Sequence, residues 1–235
     1  MISGRTRLVG LIGRNLSESL SPRMQNAAFA ARGLDWAYVP LEVEPERLEL
    51  AVGGLVALGF AGANVTAPYK VAVARLVGAD VPSVNTLVVQ EGTVRGSSTD
   101  PAILEQIRVE RPAIIGDGGA ARAFRRALPG ARVFSRKGDW PPDPEDADLV
   151  VNATPVRDEI LVELGPGQTL VDLPYPESAT ATAARAAGAQ VFDGLEALVA
   201  QGAASFELWT GLPAPVEVMR RAVGLPHDAR AAHRG

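Results

Sequence analysis

The sequence predicts an α/β protein of two units, the first built on a mainly parallel sheet and the second on a shortened doubly wound sheet. Three observations lead there. Short apolar runs alternate with helical patterns through the first hundred residues, and a second alternation starts after Asp100. In that second half a glycine-rich turn, GDGGAA (116–121), joins an apolar strand pattern to a helix pattern. Such alternation favours a parallel sheet, because parallel strands need long crossovers and helices supply them. A chain of 235 residues is long enough for two modest cores.

The elements follow in order. LVGLIG (8–13) is an apolar run ending in Gly, as expected of a buried parallel strand. SPRMQNAAFAARG then offers Ser21 as N-cap, Pro22 at the first helical position and Gly33 past the end. AYVPLEV (37–43) is a strand and PERLELAVGGLVALG (45–59) a helix; FAGANVT (60–66) is a strand and PYKVAVARLVG (68–78) a helix. SVNTLVV and VRGS flank Glu91-Gly92, which predicts a hairpin. Beyond Asp100, PAILEQIRVE is a short helical stretch, and AII, ARVFS, DLVVNAT and TLVDLPY are strands. TATAARAAG, GLEALVAQGAASFELWTG and PAPVEVMRRAVG are helices, while DWPPDPEDAD (139–148) is a proline-rich loop.

Composition narrows the chemistry. With no cysteine, thiol catalysis, disulfides and zinc–thiolate sites are excluded. The two histidines, His227 and His233, both sit in the tail PHDARAAHRG and are expected to be non-functional, which leaves Lys, Asp, Glu or Tyr for proton transfer and predicts no metal. A net charge of −4 without a basic tract, and 5% aromatic residues, argue against nucleic-acid binding. No apolar run reaches eighteen residues and the N-terminus turns polar too soon for a signal peptide, so the expectation is a cytoplasmic protein with no membrane partner.

GDGGAA fits G-x-G-x-x-A between a strand and a helix, the context in which Gly116, Gly118, Gly119, Ala120 and Ala121 bring backbone amides against a pyrophosphate. The alternative is an ordinary strand–helix turn. About twenty residues on, where an acid would select NAD, the strand ends in Ser135, Arg136 and Lys137. Two cations suit a 2′-phosphate, so the expected cofactor is NADP; two surface cations are the alternative. Asp117 places a carboxylate inside the turn, and only eleven residues separate Arg136 from Asp148, too few for a crossover helix. The second unit is therefore expected to be trimmed.

GANVTAPYK (62–70) sets Lys70 on the first turn of a helix, where the macrodipole disfavours a cation. Alone it reads as a surface lysine. Together with SLSP (19–22), VNTLVV (84–89), STD (98–100), GDGGAARA (116–123), NATP (152–155) and QGAASFELWTG (201–211), in this order, it resembles the shikimate dehydrogenase family nearly end to end. The resemblance implies a two-domain α/β fold. An N-terminal, mainly parallel α/β substrate domain (1–100 plus about 195–235) accompanies a trimmed Rossmann-like NADP-binding domain (about 101–194).

It also implies site residues. Ser19 and Ser21 would hold the substrate carboxylate, Thr66 and Asn85 the ring hydroxyls, Tyr175 would close over the substrate and Gln201 would bond a hydroxyl. Lys70 and Asp100 would be the catalytic pair, and Thr154 and Gly194 would join the cofactor set. The implied activity is the reversible, NADPH-dependent reduction of 3-dehydroshikimate to shikimate in aromatic amino-acid (chorismate) biosynthesis, by a monomer or homodimer. Departures from the family pattern are Glu18 before SLSP, Ser98 in STD, Arg157-Asp158 after NATP, and Ala197 near Gly194. The substrate half is close to intact, whereas the cofactor half, with its shortened loop, is eroded. Two alternatives therefore stand beside the main reading: a broader quinate/shikimate dehydrogenase, and a non-catalytic shikimate-binding paralogue.

Overall fold

A computed structural model describes residues 2–226; His227 and His233 lie outside the described residues. The chain divides into two compact units, one comprising residues up to Thr99 together with those from Val199 onward, the other Asp100–Leu198. Among the described residues no helix is long and apolar enough to cross a membrane.

The first unit is a five-stranded sheet of β1 (Arg7–Gly13), β2 (Trp36–Glu42), β3 (Gly62–Val65), β4 (Thr86–Gln90) and β5 (Thr93–Ser97), in the order β2-β1-β3-β4-β5. β2 and β3 run parallel to β1; β4 and β5 are antiparallel and form the expected hairpin, with Glu91 at φ 50° and Gly92 at φ 73°. Positive φ at both central residues is what a two-residue turn matched to strand twist demands. Helices α1 (Ser21–Ala31), α2 (Leu48–Ala57) and α3 (Lys70–Leu76) make or follow the crossovers. On one face, Leu48, Val52 and Leu55 of α2 and Val73 and Ala74 of α3 bury against Ile12, Val65 and Leu87. Elsewhere α1 packs on α7 (Val216–Ala222), and Phe29 of α1 meets Phe206 of α6 (Gly194–Thr210) at 5.5 Å between ring centroids. The edge strand β2 is partly closed by a side chain: Asn26 accepts from the Tyr38 amide and donates to its carbonyl, each at 2.9 Å.

Two helix starts differ from the sequence expectation. Ser21 is the first residue of α1 rather than its cap, which is Leu20 with no side-chain cap bond. Pro68 does not open α3, which begins at Lys70. The reason is Tyr69: its amide closes a turn on the Thr66 carbonyl at 3.0 Å, and its hydroxyl donates to the Val43 carbonyl at 2.6 Å, sinking the ring into the core. Gly33 does lie past the end of α1, at φ 65°.

The second unit is an all-parallel sheet of β6 (Pro112–Ile115), β7 (Arg132–Phe134), β8 (Leu149–Asn152), β9 (Thr169–Asp172) and β10 (Gln190–Phe192), in the order β10-β9-β8-β6-β7. This matches the doubly wound order 3-2-1-4-5-6 without its strand 3. α4 (Gly119–Ala127) joins β6 to β7 and α5 (Ala179–Ala186) joins β9 to β10, but neither β7–β8 nor β8–β9 contains a helix. The trimming expected from the short proline-rich loop is thus a lost strand, with no helix in two of the four connections. An extended segment replaces one helix: Leu161, Val162 and Leu164 bury against Val150, Leu170, Ala181 and Ala184. Side chains satisfy its backbone. Thr180 Oγ1 accepts from the Leu161 amide and Gln168 Oε1 from the Gly165 amide, both at 3.0 Å. β10 is not evident in the sequence, being three residues with only Val191 and Phe192 apolar.

Gly62 adjoins Leu87 and Trp209, whose indole N–H donates to the Leu87 carbonyl at 2.9 Å. A Cβ at Gly62 would run into both partners of that bond. Gly62→Ala should cost about 2–3 kcal/mol by overpacking, read as a fall in the denaturation midpoint with unchanged slope.

Asp172 ends β9 fully buried, and burial is the main cause that raises its carboxyl pKa above the ordinary carboxylate range. A raised folded pKa means that the native state binds the proton more tightly, so stability falls as pH rises from the ordinary value through the raised one. The neutral variant Asp172→Asn lacks this term. Its melting temperature relative to wild type should therefore climb as pH rises above the ordinary carboxylate value of about 4, measured by thermal denaturation at increasing pH.

Candidate functional site

In the first unit the sequence-predicted residues collect at one edge. β1 and β3 are parallel with Ile12 opposite Val65, so the residues following each strand emerge at the same carboxyl end, where open α/β sheets bind ligands. Thr66 follows β3 directly, its amide donating to the Ile12 carbonyl at 2.9 Å and its methyl resting where a side chain on Gly13 would be. Ser19 and Ser21 follow β1, linked by a long Ser21 amide contact to Ser19 Oγ of 3.4 Å. Lys70 opens α3, half-buried, its carbonyl accepting from the Val84 amide at 2.9 Å. β4 runs antiparallel to β3, so its start, next to Asn85, lies at this same edge.

Asn85 is buried, and its carboxamide is fixed on both sides. Its Oδ1 accepts from the Thr99 amide at 2.7 Å; its Nδ2 donates to Thr99 Oγ1 at 2.9 Å and to Gln201 Oε1 at 3.2 Å. Two predicted substrate residues more than a hundred positions apart are therefore in contact. Behind them Asn64 Nδ2 donates to the Asn85 carbonyl, Thr86 Oγ1 and Ser205 Oγ at 3.0–3.1 Å, and its Oδ1 accepts from the Tyr38 hydroxyl at 2.8 Å. Ser205 also meets Thr86 at 2.8 Å and Thr99 at 3.1 Å. Asn64 is an internal strut.

In the second unit the glycine turn has the geometry its motif implies. Gly116 sits at φ 125° with Ala153 close behind, where a side chain would press on the Ala153 carbonyl at 3.1 Å. Gly118 caps α4 and faces open space. The first intrahelical bond runs from the Arg122 amide to the Gly118 carbonyl, leaving the amides of Gly119, Ala120 and Ala121 without a partner inside the helix. These amides, next to a glycine with room on its Cα, fit a pyrophosphate.

The cations at the end of β7 each face an acid. Lys137 Nζ donates to Asp117 Oδ2 at 2.6 Å, and that hydrogen bond, with the Lys137 charge, holds Asp117 below the usual carboxylate range. Arg136 reaches Glu159 at 3.4 Å and lies over the Trp140 ring at 5.5 Å. Ser135 closes the intervening turn, its amide donating to Asp139 and its carbonyl accepting from Gly138. Asp117 therefore turns toward Lys137, and the two cations expected to suit a 2′-phosphate are each counter-charged. Such exposed pairs are weak, which leaves both cations available to a phosphate.

Thr154 follows β8, its amide and hydroxyl donating to Asn152 Oδ1 at 3.1 and 2.8 Å. Tyr175 follows β9, half-buried. Gly194 opens α6 against the carbonyls of Leu173 and Pro174, with no room for a side chain. Asp193 Oδ1 caps that helix through the Leu195 and Glu196 amides at 2.9 and 3.0 Å. Asp100 begins a 3-10 turn spanning Asp100–Gln106.

Among the buried polar residues behind the candidate groups of the two units, the sequence reading gave no role to Thr86, Ser205, Asn152 and Asp172. The signal was there for two of them. LVVN and TLVD are apolar strands that each end on a polar side chain, and both ends are buried. Ser205 and Thr86 carry no such mark, being small hydroxyls inside helix and strand patterns.

The family model for the shikimate dehydrogenase substrate binding domain matches residues 11–87, and that for the shikimate 5′-dehydrogenase C-terminal domain matches residues 194–223. The shikimate dehydrogenase (NADP(+)) of Anaeromyxobacter sp. (strain Fw109-5) is 39% identical over 278 aligned positions, covering 97% of this chain and 100% of the relative. Since this chain has only 235 residues, that relative carries segments missing here. Among solved structures, shikimate dehydrogenase from Aquifex aeolicus matches at TM-score 0.84 and 31% identity, covering 95% of this chain and 100% of that one. The Thermus thermophilus enzyme in complex with NADP(H) and shikimate matches at TM-score 0.77 and 28% identity, over 92% and 98% of the two chains. With full-length relatives of this identity and this topology in both units, the chain belongs to the shikimate dehydrogenase family.

Proposed function

We propose that this protein is an NADP-dependent shikimate dehydrogenase, interconverting shikimate and 3-dehydroshikimate in the cytoplasm. The observation that carries the reading is the assembly of Ser19, Ser21, Thr66, Lys70, Asn85 and Gln201 on and beside one sheet edge of the first unit. Hydroxyl and carboxamide groups there match a ring bearing several hydroxyls and a carboxylate. The first unit is thereby assigned to substrate and the second to the dinucleotide. The relatives named above as NADP(+) enzymes, and the Thermus thermophilus complex with NADP(H) and shikimate, support the same assignment.

In this reading Ser19 and Ser21 donate to the carboxylate, while Thr66, Asn85 and Gln201 fix the ring hydroxyls. Asn85 is the most rigid of these, because Thr99 occupies both ends of its carboxamide. Oxidation of the secondary alcohol needs a base for the hydroxyl proton, a role assigned to Lys70, with Asp100 hydrogen-bonding the same hydroxyl. Gly116, Gly118 and the first-turn amides of α4 would hold the pyrophosphate, and Ser135, Arg136 and Lys137 the 2′-phosphate. Thr154 and Gly194 would flank the nicotinamide end, and Tyr175 would cover the substrate. NADP supplies the acceptor for the substrate's hydride. Every other step falls to side chains of this chain.

Reduced-nicotinamide absorbance with shikimate, run with NADP+ and NAD+ in parallel and paired with calorimetric titration of each cofactor, tests the proposal. Turnover that prefers NADP+ is expected. Shikimate binding without binding of either cofactor would instead identify a non-catalytic paralogue.

Lys70→Ala should lower kcat by about 10²- to 10⁴-fold while leaving the shikimate dissociation constant within a few-fold, since the residue serves proton transfer. The two cations give opposite expectations when altered directly or through their partners. Arg136→Ala should weaken NADP+ far more than NAD+. Asp117→Asn frees Lys137 and should tighten NADP+ by about two- to fivefold, the scale of an exposed ion pair, with little change for NAD+. Calorimetry on both variants checks the pair of signs.

A further inference from the structure

The crevice between β6 and β8 is where the second sheet reverses its winding: from β6 the chain passes through α4 to β7 on one side, and β8, β9 and β10 lie on the other. Dinucleotides bind at such a reversal, beyond the carboxyl ends of the strands. Two loops meet there, the glycine turn after β6 and residues 153–156 after β8, with Gly116 pressed against Ala153 and close to the Thr154 methyl. What orients the second loop lies underneath it. Asn152 and Asp172 are directly opposite in the parallel register, and both are fully buried. Asn152 Nδ2 donates to Asp172 Oδ1 at 2.7 Å, which leaves Asn152 Oδ1 to accept from both the amide and the hydroxyl of Thr154, at 3.1 and 2.8 Å. Thr154 Oγ1 in turn accepts from the Val156 amide at 3.3 Å.

Resting on the dinucleotide reading of this unit, we infer that Asp172 is a positioning residue: it sets the orientation of the Asn152 carboxamide and, through it, presents Thr154 and the 153–156 loop to the cofactor. A carboxamide has two nearly isosteric ends. Were Asn152 reversed, its Nδ2 would face the Thr154 donors and its oxygen would face a carboxylate, so neither contact would survive. The Asp172 oxygen that accepts from Asn152 therefore decides which way the loop is tied. The arrangement carries a desolvation cost that structure alone does not require. Asp172 Oδ2 is buried without a well-formed hydrogen bond, although the hydroxyl and amide of Ser178 lie close enough to favour the anion. The charged group facing it is another acid, Asp193. A buried polar group kept under those conditions marks a site rather than a core.

The experiment compares Asp172→Ala, Asn152→Asp and Asp172→Asn with the wild type in three readouts: the NADP+ dissociation constant by calorimetry, the kinetic constants for each substrate, and amide hydrogen exchange at Thr154 and Val156. Asp172→Ala should raise the NADP+ dissociation constant and KM about tenfold while the shikimate KM moves less than twofold. It should also speed exchange of the Thr154 amide about tenfold. Asn152→Asp keeps the shape but puts two carboxyls in contact, stable only while one holds a proton. Its NADP+ affinity should be near wild type at low pH and fall relative to wild type as pH rises. Asp172→Asn retains an oxygen acceptor and should restore most of the affinity. Unchanged NADP+ affinity and unchanged Thr154 exchange in folded Asp172→Ala would overturn the inference, as would a pH-independent Asn152→Asp. Should Asp172→Ala not fold, the pH trend of Asn152→Asp decides. If the wild type itself bound no NADP+, the proposed function would fall, and the exchange rates would still show whether Asp172 orders the loop.

Discussion

Burying hydrogen-bonding groups without water is the constraint on which the rest of this structure depends. Asn64, Asn85, Thr86, Thr99 and Ser205 lie inside the first unit with almost no exposure, and each is satisfied by the others. A buried donor or acceptor left alone costs about 1–3 kcal/mol, so the network has few ways to rearrange without breaking several bonds at once. Ser205 belongs to α6, whereas Asn64, Thr86 and Thr99 come from the first hundred residues. The network thus ties the end of the chain to the sheet and brings Gln201, one turn before Ser205, against Asn85.

The second unit solves a different problem. Losing a strand and the helices of two connections removes the usual cover for a parallel sheet, whose faces must both be buried. Leu161, Val162 and Leu164 supply cover from an extended segment, and Thr180 and Gln168 bond the backbone that a helix would have bonded internally. Asp148 does likewise at the sheet's other end, accepting from the amides of Glu110 and Arg111 at 2.8 and 2.9 Å. What survives the shortening is the reversal point between β6 and β8, with its glycine turn and the 153–156 loop.

Charge at the cofactor end is balanced rather than simply positive. Lys137 with Asp117 and Arg136 with Glu159 neutralise each other on the surface, and Trp140 shields one face of the Arg136 guanidinium. In the proposed reading an incoming 2′-phosphate would exchange one anionic partner for another. That balance suits an enzyme that must release its product nucleotide.

The sequence by itself determined the alternation of strands and helices, the hairpin at Glu91-Gly92, the glycine turn and the order of the site motifs. Each of these is local chemistry: side-chain period, positive φ, a missing Cβ, a run of prolines. It also placed Ser19, Ser21, Thr66 and Lys70 after strands β1 and β3, which parallel pairing then turns into a single edge. Only the tertiary structure decided the rest. The start of α3 at Lys70 depends on Tyr69 reaching Val43, and the contact of Asn85 with Gln201 depends on how α6 packs. The direction of Asp117 depends on Lys137 lying on a neighbouring strand end, and the setting of Thr154 depends on Asn152 standing opposite Asp172. All of these are hydrogen bonds between residues far apart in the chain. Periodicity and propensity act over a few residues, so no local pattern records which distant donor a buried acceptor will meet.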